Sequence, residues 1–469
     1  MAIWAPKAPV MGSIAFYVVM LGSILKANCL DNGLARTPAL GYNTWNAYGG
    51  DISEELIRAT ADLMVSTGLK KAGYHYLVID DAWSNLQRND QGRIEANSDR
   101  FPSGMKAMAD YIHSKGLKFG MYSDAGSHTC LGYPGSRYHE EDDAECFADW
   151  GVDFLKYDNC WAPASDWVID RYTAMHAALN GTGRPILYSM CDWGVGDPWL
   201  WAPKIANSWR TTGDISPSWE SMLRCLDNTI GLSEFAKPGA WNDPDMLEVG
   251  NPGLTEQEQR ANFAIWAILK SPLMVGTDLR RLSKTALEIL TAEEVIAVNQ
   301  DKLGVAGDLI WKRGPTEVYA GPLEDGSRAV VLFNRHTSGT QYPLSNITVQ
   351  WQDLGFENDV DATVRDLFAR KDLGTFRGEW TGVVGLHDVR MVKISPTESS
   401  SRYKDWRPWL QHGALHAPFR AEGLQAPPRP GRSAKLARHQ TMKDREADVQ
   451  GFTADQEKTN RCDKGFIRA

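Results

Sequence analysis

Asp153-Phe154-Leu155-Lys156-Tyr157-Asp158-Asn159-Cys160 reads as a short buried strand that ends on a carboxylate. A barrel strand delivers a reacting group to its C-terminal rim in this way. By itself Asp158 could equally cap a following helix, so the neighbouring segments must decide. From residue 40 to about 300, short apolar runs alternate with amphipathic ones. Candidate strands lie at 40–45, 76–80, 118–122, 152–157, 185–190, 205–209, 239–241 and 273–275. Leu56, Ala59, Leu63 and Met64 recur at helical spacing over 54–67, as do Met105, Met108, Ala109 and Ile112 over 103–115. Residues 262–269 form an apolar helical segment. Eight such units predict an α/β fold, a (β/α)8 TIM barrel over 30–310. A doubly wound sheet is the alternative, but it usually opens on a glycine-rich phosphate loop, and none is present.

Beyond residue 310 the pattern changes. Short strands at 317–320, 329–334, 347–351, 362–366 and 389–394 are separated by turns such as Glu324-Asp325-Gly326. They predict a C-terminal antiparallel β-sandwich domain over 311–397, since one small sheet buries too little surface alone. The segment 398–469 is expected to be a disordered tail. Its residues 401–469 carry 14 Lys and Arg against 8 Asp and Glu, a net +6 that leaves −15 on the rest of the chain.

The total charge of −9 argues against nucleic acid as a partner, because phosphate binding needs a basic surface. The apolar run over 10–25, preceded by Lys7, is too short for a comfortable membrane span. Followed by Ala27 and Cys29, it reads as a signal peptide over 1–29, so the mature chain is expected to be secreted and not membrane-bound. Asn180-Gly-Thr and Asn346-Ile-Thr are glycosylation sequons and fit that reading. Of seven cysteines, Cys29 leaves with the signal and Cys462 lies in the tail. The remaining five, Cys130, Cys146, Cys160, Cys191 and Cys225, leave at least one thiol free.

Acids crowd the predicted strand ends: Asp80 and Asp81, Asp158, Asp192, Asp214, then Asp243 and Asp245. Each has a Trp or Tyr close by in sequence. Together they predict one acidic, aromatic-rimmed pocket. Carboxylates accept from sugar hydroxyls, and an indole face covers an apolar C–H face. Asp-Asp and Asp-Pro-Asp could instead hold a hard cation. No His-x-x-x-His or Cys-x-x-Cys spacing marks zinc, and no Gly-x-Ser-x-Gly elbow marks a serine hydrolase. Neither a metal nor another cofactor is expected.

Several of these stretches resemble one known family. They are Asp31-Asn-Gly-Leu-Ala-Arg-Thr-Pro-Ala-Leu-Gly-Tyr-Asn-Thr-Trp45-Asn, Ile79-Asp-Asp-Ala-Trp83, Lys118-Phe-Gly-Met-Tyr-Ser-Asp-Ala-Gly126 and Lys156-Tyr-Asp-Asn-Cys160. Cys191-Asp-Trp193, Trp209-Arg-Thr-Thr-Gly-Asp-Ile215 and Trp241-Asn-Asp-Pro-Asp-Met246 follow in order. The chain from about 31 to 400 resembles the secreted α-galactosidases of glycoside hydrolase family 27, the melibiases. The resemblance implies a barrel with a β domain behind it. It also implies retaining hydrolysis of terminal α-D-galactosyl residues from oligosaccharides, galactomannan or galactolipids. Asp158 would be the nucleophile and Asp214 the general acid/base, roughly 5–5.5 Å apart. Asp158 should be ionised beside Lys156, and Asp214 protonated, with a raised pKa. Asp80 and Asp81 would hold the 4- and 6-hydroxyls, and Lys156 O3 or O4. Arg210 and Asp192 would sit near the 2-hydroxyl, with Trp45, Tyr122 and Trp193 as pocket walls. Cys130 and Cys160 match a family disulfide.

Departures sharpen the reading. Some animal members bridge the cysteine matching Cys191 to one near Trp209; here Ala206 stands there, so Cys191 is expected free. The animal cysteine matching Ala82 is also missing. Asp192 replaces the Glu of animal and plant members, a feature of fungal ones. α-N-Acetylgalactosaminidases use small residues at this site, so Asp192 and Trp193 favour galactose. That activity and an inactive galactose-binding protein are the rival readings, and the presence of both Asp158 and Asp214 argues against the second.

Overall fold

The computed structural model describes residues 30–163, 167–336 and 344–397. The signal peptide and the tail expected from the sequence lie outside these residues. Eight parallel strands form the first sheet: β1 Leu40–Asn43, β2 Tyr76–Val78, β3 Lys118–Asp124, β4 Phe154–Asp158, β5 Leu187–Met190, β6 Ser208–Arg210, β7 Trp241–Asp243 and β8 Leu273–Val275. They run in sequence order from β7 down to β1, which then pairs with β8. Leu247, just past β7, closes the ring by a parallel bridge to Val275, and its N–H donates to Met274 at 2.8 Å. The barrel is therefore as expected.

Helices cover the outside. α1 (Glu54–Ser66) starts where the Ser53 hydroxyl accepts from the Leu56 N–H. Its buried face is Ile57, Thr60, Ala61 and Met64, so it is turned from the predicted Leu56–Ala59–Leu63–Met64 stripe, of which only Met64 is shared. Leu56 and Leu63 still pack at the edge of the core. α2 (Gly104–Ser114) buries the predicted Met105, Met108, Ala109 and Ile112. α3 (Glu140–Trp150), α4 (Val168–Gly181) and α5 (Trp219–Thr229) follow. α6 (Glu256–Ile268) opens six residues before the predicted start of 262. Its first turns are polar and hide the helix from an apolar pattern. A capping box between Thr255 and Glu258 begins it.

Two strands shift from their predicted places. β6 begins at Ser208, because Ala202–Lys204 makes a 3-10 turn and the Ala206 N–H bonds back to Ala202. β7 begins at Trp241, because Lys237 and Ala240 exchange both hydrogen bonds in a tight turn through Pro238 and Gly239. Both shifts move Arg210 and Asp243 onto strand ends.

The second domain has a six-stranded antiparallel sheet and a two-stranded one. The first contains β9 (Asp308–Arg313), β10 (Thr316–Pro322), β11 (Arg328–Asn334), β13 (Asp361–Asp366), β14 (Lys371–Arg377) and β16 (Val389–Pro396). The second pairs β12 (Leu344–Gln350) with β15 (Glu379–Gly385). Val330 and Leu332 of β11 face a core shared with Ile347, Val349 and Trp380, while Ala329, Val331 and Phe333 join the barrel's core. Burial on both faces explains why β11 reads as a continuous apolar run. The Arg260 guanidinium also grips Asp388 through two nitrogens, at 2.9 and 2.8 Å. β9, β14 and β15 were not foreseen. β14 is an edge strand with mostly exposed, polar residues, so it carries little apolar signal.

Candidate active site

Strand geometry sorts the barrel residues before any chemistry enters. Side chains alternate faces along a strand. On β4, Leu155 and Tyr157 pack outward in the main core, and Phe154 packs inward against Tyr76, Val78, Leu187, Met246 and Met274. Lys156 and Asp158 share the inward face with Phe154, each step of two climbing about 6.6 Å. Parallel register carries this pattern around the ring. Tyr122 lies beside Lys156, Asp124 beside Asp158, Ser189 beside both Lys156 and Ser208, and Asp243 beside Arg210. The apolar plug is thus the floor of a well, with charged groups stacked above it.

On one side of the well, Asp80 Oδ2 accepts from Asn43 Nδ2 and from Lys156 Nζ, both at 2.7 Å. Its other oxygen accepts from the Asp81 N–H at 2.9 Å. Asp81 accepts from the Leu131 and Ala82 N–H groups, and burial raises its pKa. Lys156 remains charged: burial disfavours the cation, but Asp80, Cys191 and Asp158 outweigh it.

Asp158 stands above Lys156. Its Oδ2 accepts from the Tyr122 hydroxyl at 3.0 Å and its Oδ1 from the Asn159 N–H at 2.9 Å. Cys130 and Cys160 form the disulfide that the resemblance implied, and the Tyr122 hydroxyl lies 3.4 Å from Cys130 Sγ. Asp124 accepts from the Gly126 and Cys160 N–H groups at 2.7 and 3.0 Å, so it ties the disulfide loop to β3. A ligand atom from each of Asp124, Asp158, Cys130 and Cys160 lies within 4.8 Å of the others. The two sulfurs are bonded to each other, so they cannot serve as thiolate metal ligands.

Across the well, Arg210 is buried between two acids, with Nη2 at 3.0 Å from both Asp214 Oδ1 and Asp245 Oδ2. Asp245 also accepts from the Ile215 N–H at 2.7 Å. These bonds position the loop that carries Asp214. Asp214 itself sits on the rim, its side chain 65% exposed. Cys191 is free and buried, 3.4 Å from Arg210 Nη1, as expected from Ala206. Asp192 is fully buried, and neither carboxylate oxygen has a well-formed hydrogen bond. Burial pushes it up to about 7. Trp45 opens a single helical turn past β1, and Trp193 follows Asp192 with a left-handed φ of 58°. Both are half-buried.

One expectation is reversed. Burial pushes Asp158 up to about 6 against the pull of Lys156. Burial also acts on Asp214, but Arg210, Lys156 and Arg224 outweigh it and hold that carboxyl below its ordinary value. In the open well, therefore, the deep carboxyl has the higher proton affinity and the rim one the lower, and near neutral pH Asp158 is still mostly ionised, as expected. The physical reason is the Arg210 guanidinium, whose contact with Asp214 no sequence pattern displays. Asn43, Asp124 and Asp245 were not assigned contacts from the sequence. Asn43 and Asp124 do lie inside the quoted motifs and end strands, which was the available signal.

Comparison with known proteins places this geometry. A family model described as alpha galactosidase A matches residues 43–301, and one described as the alpha galactosidase C-terminal beta sandwich domain matches 313–394. An α-galactosidase from Cyamopsis tetragonoloba is 48% identical over 78% of this chain and 88% of that protein. The crystal structure of α-galactosidase I from Mortierella vinacea superposes with a TM-score of 0.76 at 38% identity, covering 80% of this chain and all of that one. An α-galactosidase from Saccharomyces cerevisiae, solved with raffinose, superposes with a TM-score of 0.74 at 30% identity, covering 78% and 99%.

Proposed function

The chain belongs to the α-galactosidases of glycoside hydrolase family 27, and from that membership we propose how the residues of the well divide the work of cleaving a terminal α-linked galactose. The enzyme hydrolyses α-galactosides. The carboxylate Asp158 attacks the anomeric carbon. As that bond forms, the bond to the leaving oxygen breaks and Asp214 gives that oxygen its proton. Asp214 then takes a proton from water, which attacks the galactosyl ester and frees Asp158. Asp80, Asp81 and Lys156 hold the 3-, 4- and 6-hydroxyls, Arg210 and Asp192 lie toward the 2-hydroxyl, and Trp45, Tyr122 and Trp193 wall the ring. The observation that carries this reading is Asp158 itself: a buried carboxylate above Lys156, aimed by the Tyr122 hydroxyl at 3.0 Å.

With the higher proton affinity at Asp158, the singly protonated pair must carry its proton on Asp214 before catalysis. The productive state has the same proton count with the proton on Asp214, and such coupled pairs titrate as a unit. A bound galactose would favour that state by removing water from Asp214 and by offering Arg210 its 2-hydroxyl. Tyr122→Phe removes a donor from the ionised nucleophile. A hydrogen bond to a charged group contributes about 1.5 kcal/mol or more, so kcat/KM should fall roughly tenfold. The acidic limb of its pH profile should move upward, because Asp158 then holds its proton to higher pH. A limb that stays in place would reject this role for the hydroxyl.

The finer reading is a secreted, fungal-type enzyme acting on raffinose-type oligosaccharides or galactomannan. Asp192, the Cys130–Cys160 bridge and exposed sequon residues Asn180 on α4 and Asn346 on β12 support it, since disulfides persist in oxidising compartments. Among the described residues no helix is long and apolar enough to cross a membrane. Hydrolysis of p-nitrophenyl α-galactoside, followed by proton NMR, tests the mechanism: α-galactose should appear first. β-Galactose appearing first would mean inversion, with no galactosyl ester on Asp158, and would overturn the roles given to the two acids. Preferential cleavage of the N-acetylgalactosaminide would overturn the assignment around Asp192 and Trp193.

A further inference from the structure

Trp161 is out of place by ordinary folding rules. It lies three residues past Asp158, the residue is 57% exposed, and its φ is +48°. A bulky residue in the left-handed region is a genuine outlier, and such conformations persist where the surroundings over-determine them. Here three contacts do so. Its neighbour Cys160 is bonded to Cys130. The Trp161 carbonyl accepts from the Ser127 N–H at 3.4 Å. Gly126 lies flush against the Cys160 carbonyl, where a Cβ would come within 1.8 Å. The backbone is clamped while the indole is left in water. Its ring neighbour is His128, with centroids 5.6 Å apart.

A left-handed tryptophan also occurs at the adjacent strand exit, where the half-buried Trp193 follows Asp192 with a φ of +58°. The loop carrying His128 reaches the well directly, because the Leu131 N–H on it donates to Asp81 at 2.9 Å. Trp161 thus leaves the rim just past the nucleophile's strand, and its ring partner His128 lies on the loop whose Leu131 N–H meets an acid of the well. The leaving group is the part of a substrate that extends beyond that well.

We propose that Trp161 is a stacking platform for the leaving-group sugar of oligosaccharide α-galactosides. Its indole covers the apolar C–H face of that sugar, as aromatic side chains with one wet and one apolar side are suited to do. The clamp fixes the backbone from which the indole projects, so the ordering needed on binding is confined to its side-chain torsions. The proposal rests on the well being the galactose site.

The test compares kcat/KM for raffinose, whose leaving group is sucrose, with that for α-galactosyl fluoride, whose leaving group is too small to reach Trp161. In Trp161→Ala the raffinose-to-fluoride ratio should fall about tenfold, mostly through KM, and Trp161→Tyr should restore most of it. Trp161→Gly accepts the left-handed φ without strain, so it provides the same readout if the alanine variant folds poorly. A ratio within twofold of wild type in either truncation overturns the proposal. Hydrolysis of the fluoride by the wild-type enzyme separately tests the well as the galactose site.

Discussion

An Asp158→Asn enzyme should keep its fold and lose turnover by a factor on the order of 10⁴ or more, the scale seen when a nucleophile is removed. The amide fills the same space but cannot form the galactosyl ester. The Asn159 N–H can still bond Oδ1, and Tyr122 can accept from the new amide, so no buried group is orphaned. Stability should move the other way. Burial raises Asp158 from about 4 to about 6. The folded state then binds more protons than the unfolded one between those values, and stability falls as pH rises through that window. At pH 7 the carboxylate therefore costs about 2–3 kcal/mol, which asparagine relieves. Calorimetry at pH 7 should show a Tm no lower than wild type. A folded variant with native turnover would sink the mechanism. In Asp158→Gly, azide placed in the vacated space should convert dinitrophenyl α-galactoside into β-galactosyl azide, since it attacks from the nucleophile's side.

Asp214→Asn should give the second largest loss, with a different signature. General acid–base groups contribute about 10²- to 10⁴-fold. Raffinose, whose leaving oxygen needs a proton, should lose kcat/KM in that range. Dinitrophenyl α-galactoside, whose leaving group departs unassisted, should lose far less and should accumulate the galactosyl enzyme, because water has lost its base. Azide should accelerate this variant and yield α-galactosyl azide, the opposite anomer from that made by Asp158→Gly. The pH profile carries its own sign. The acid must be protonated, so wild-type activity falls as pH rises through the upper limb, and that limb should vanish in the variant. If the same azide anomer came from both variants, the two carboxyls would not lie on opposite faces of the sugar.

Much of this site was legible because its information is local. Lys156 and Asp158 share a face by strand alternation alone, and the quoted motifs end strands where barrel chemistry collects. The α1 face was misjudged because Leu56, Ile57, Ala61, Leu63 and Met64 offer two overlapping helical stripes, and only the packing partner selects one. α6 was half read because its first turns are polar, and β14 was missed because an edge strand need not be apolar. Asp192 was assigned to the 2-hydroxyl, but nothing in the sequence shows that its carboxylate is fully buried without a well-formed hydrogen bond.

The sequence by itself determined the barrel, the β domain behind it and the set of acids at the strand ends, because periodicity and strand-end chemistry are properties of short stretches. The tertiary structure alone decided which of the two acids has the higher proton affinity. That choice depends on burial around Asp158 and on Arg210 reaching Asp214 at 3.0 Å. It also decided that Trp161 is clamped and exposed, through a disulfide 30 residues long in sequence. Electrostatic energy depends on distance and local dielectric, and neither exists until the strands have closed into a ring.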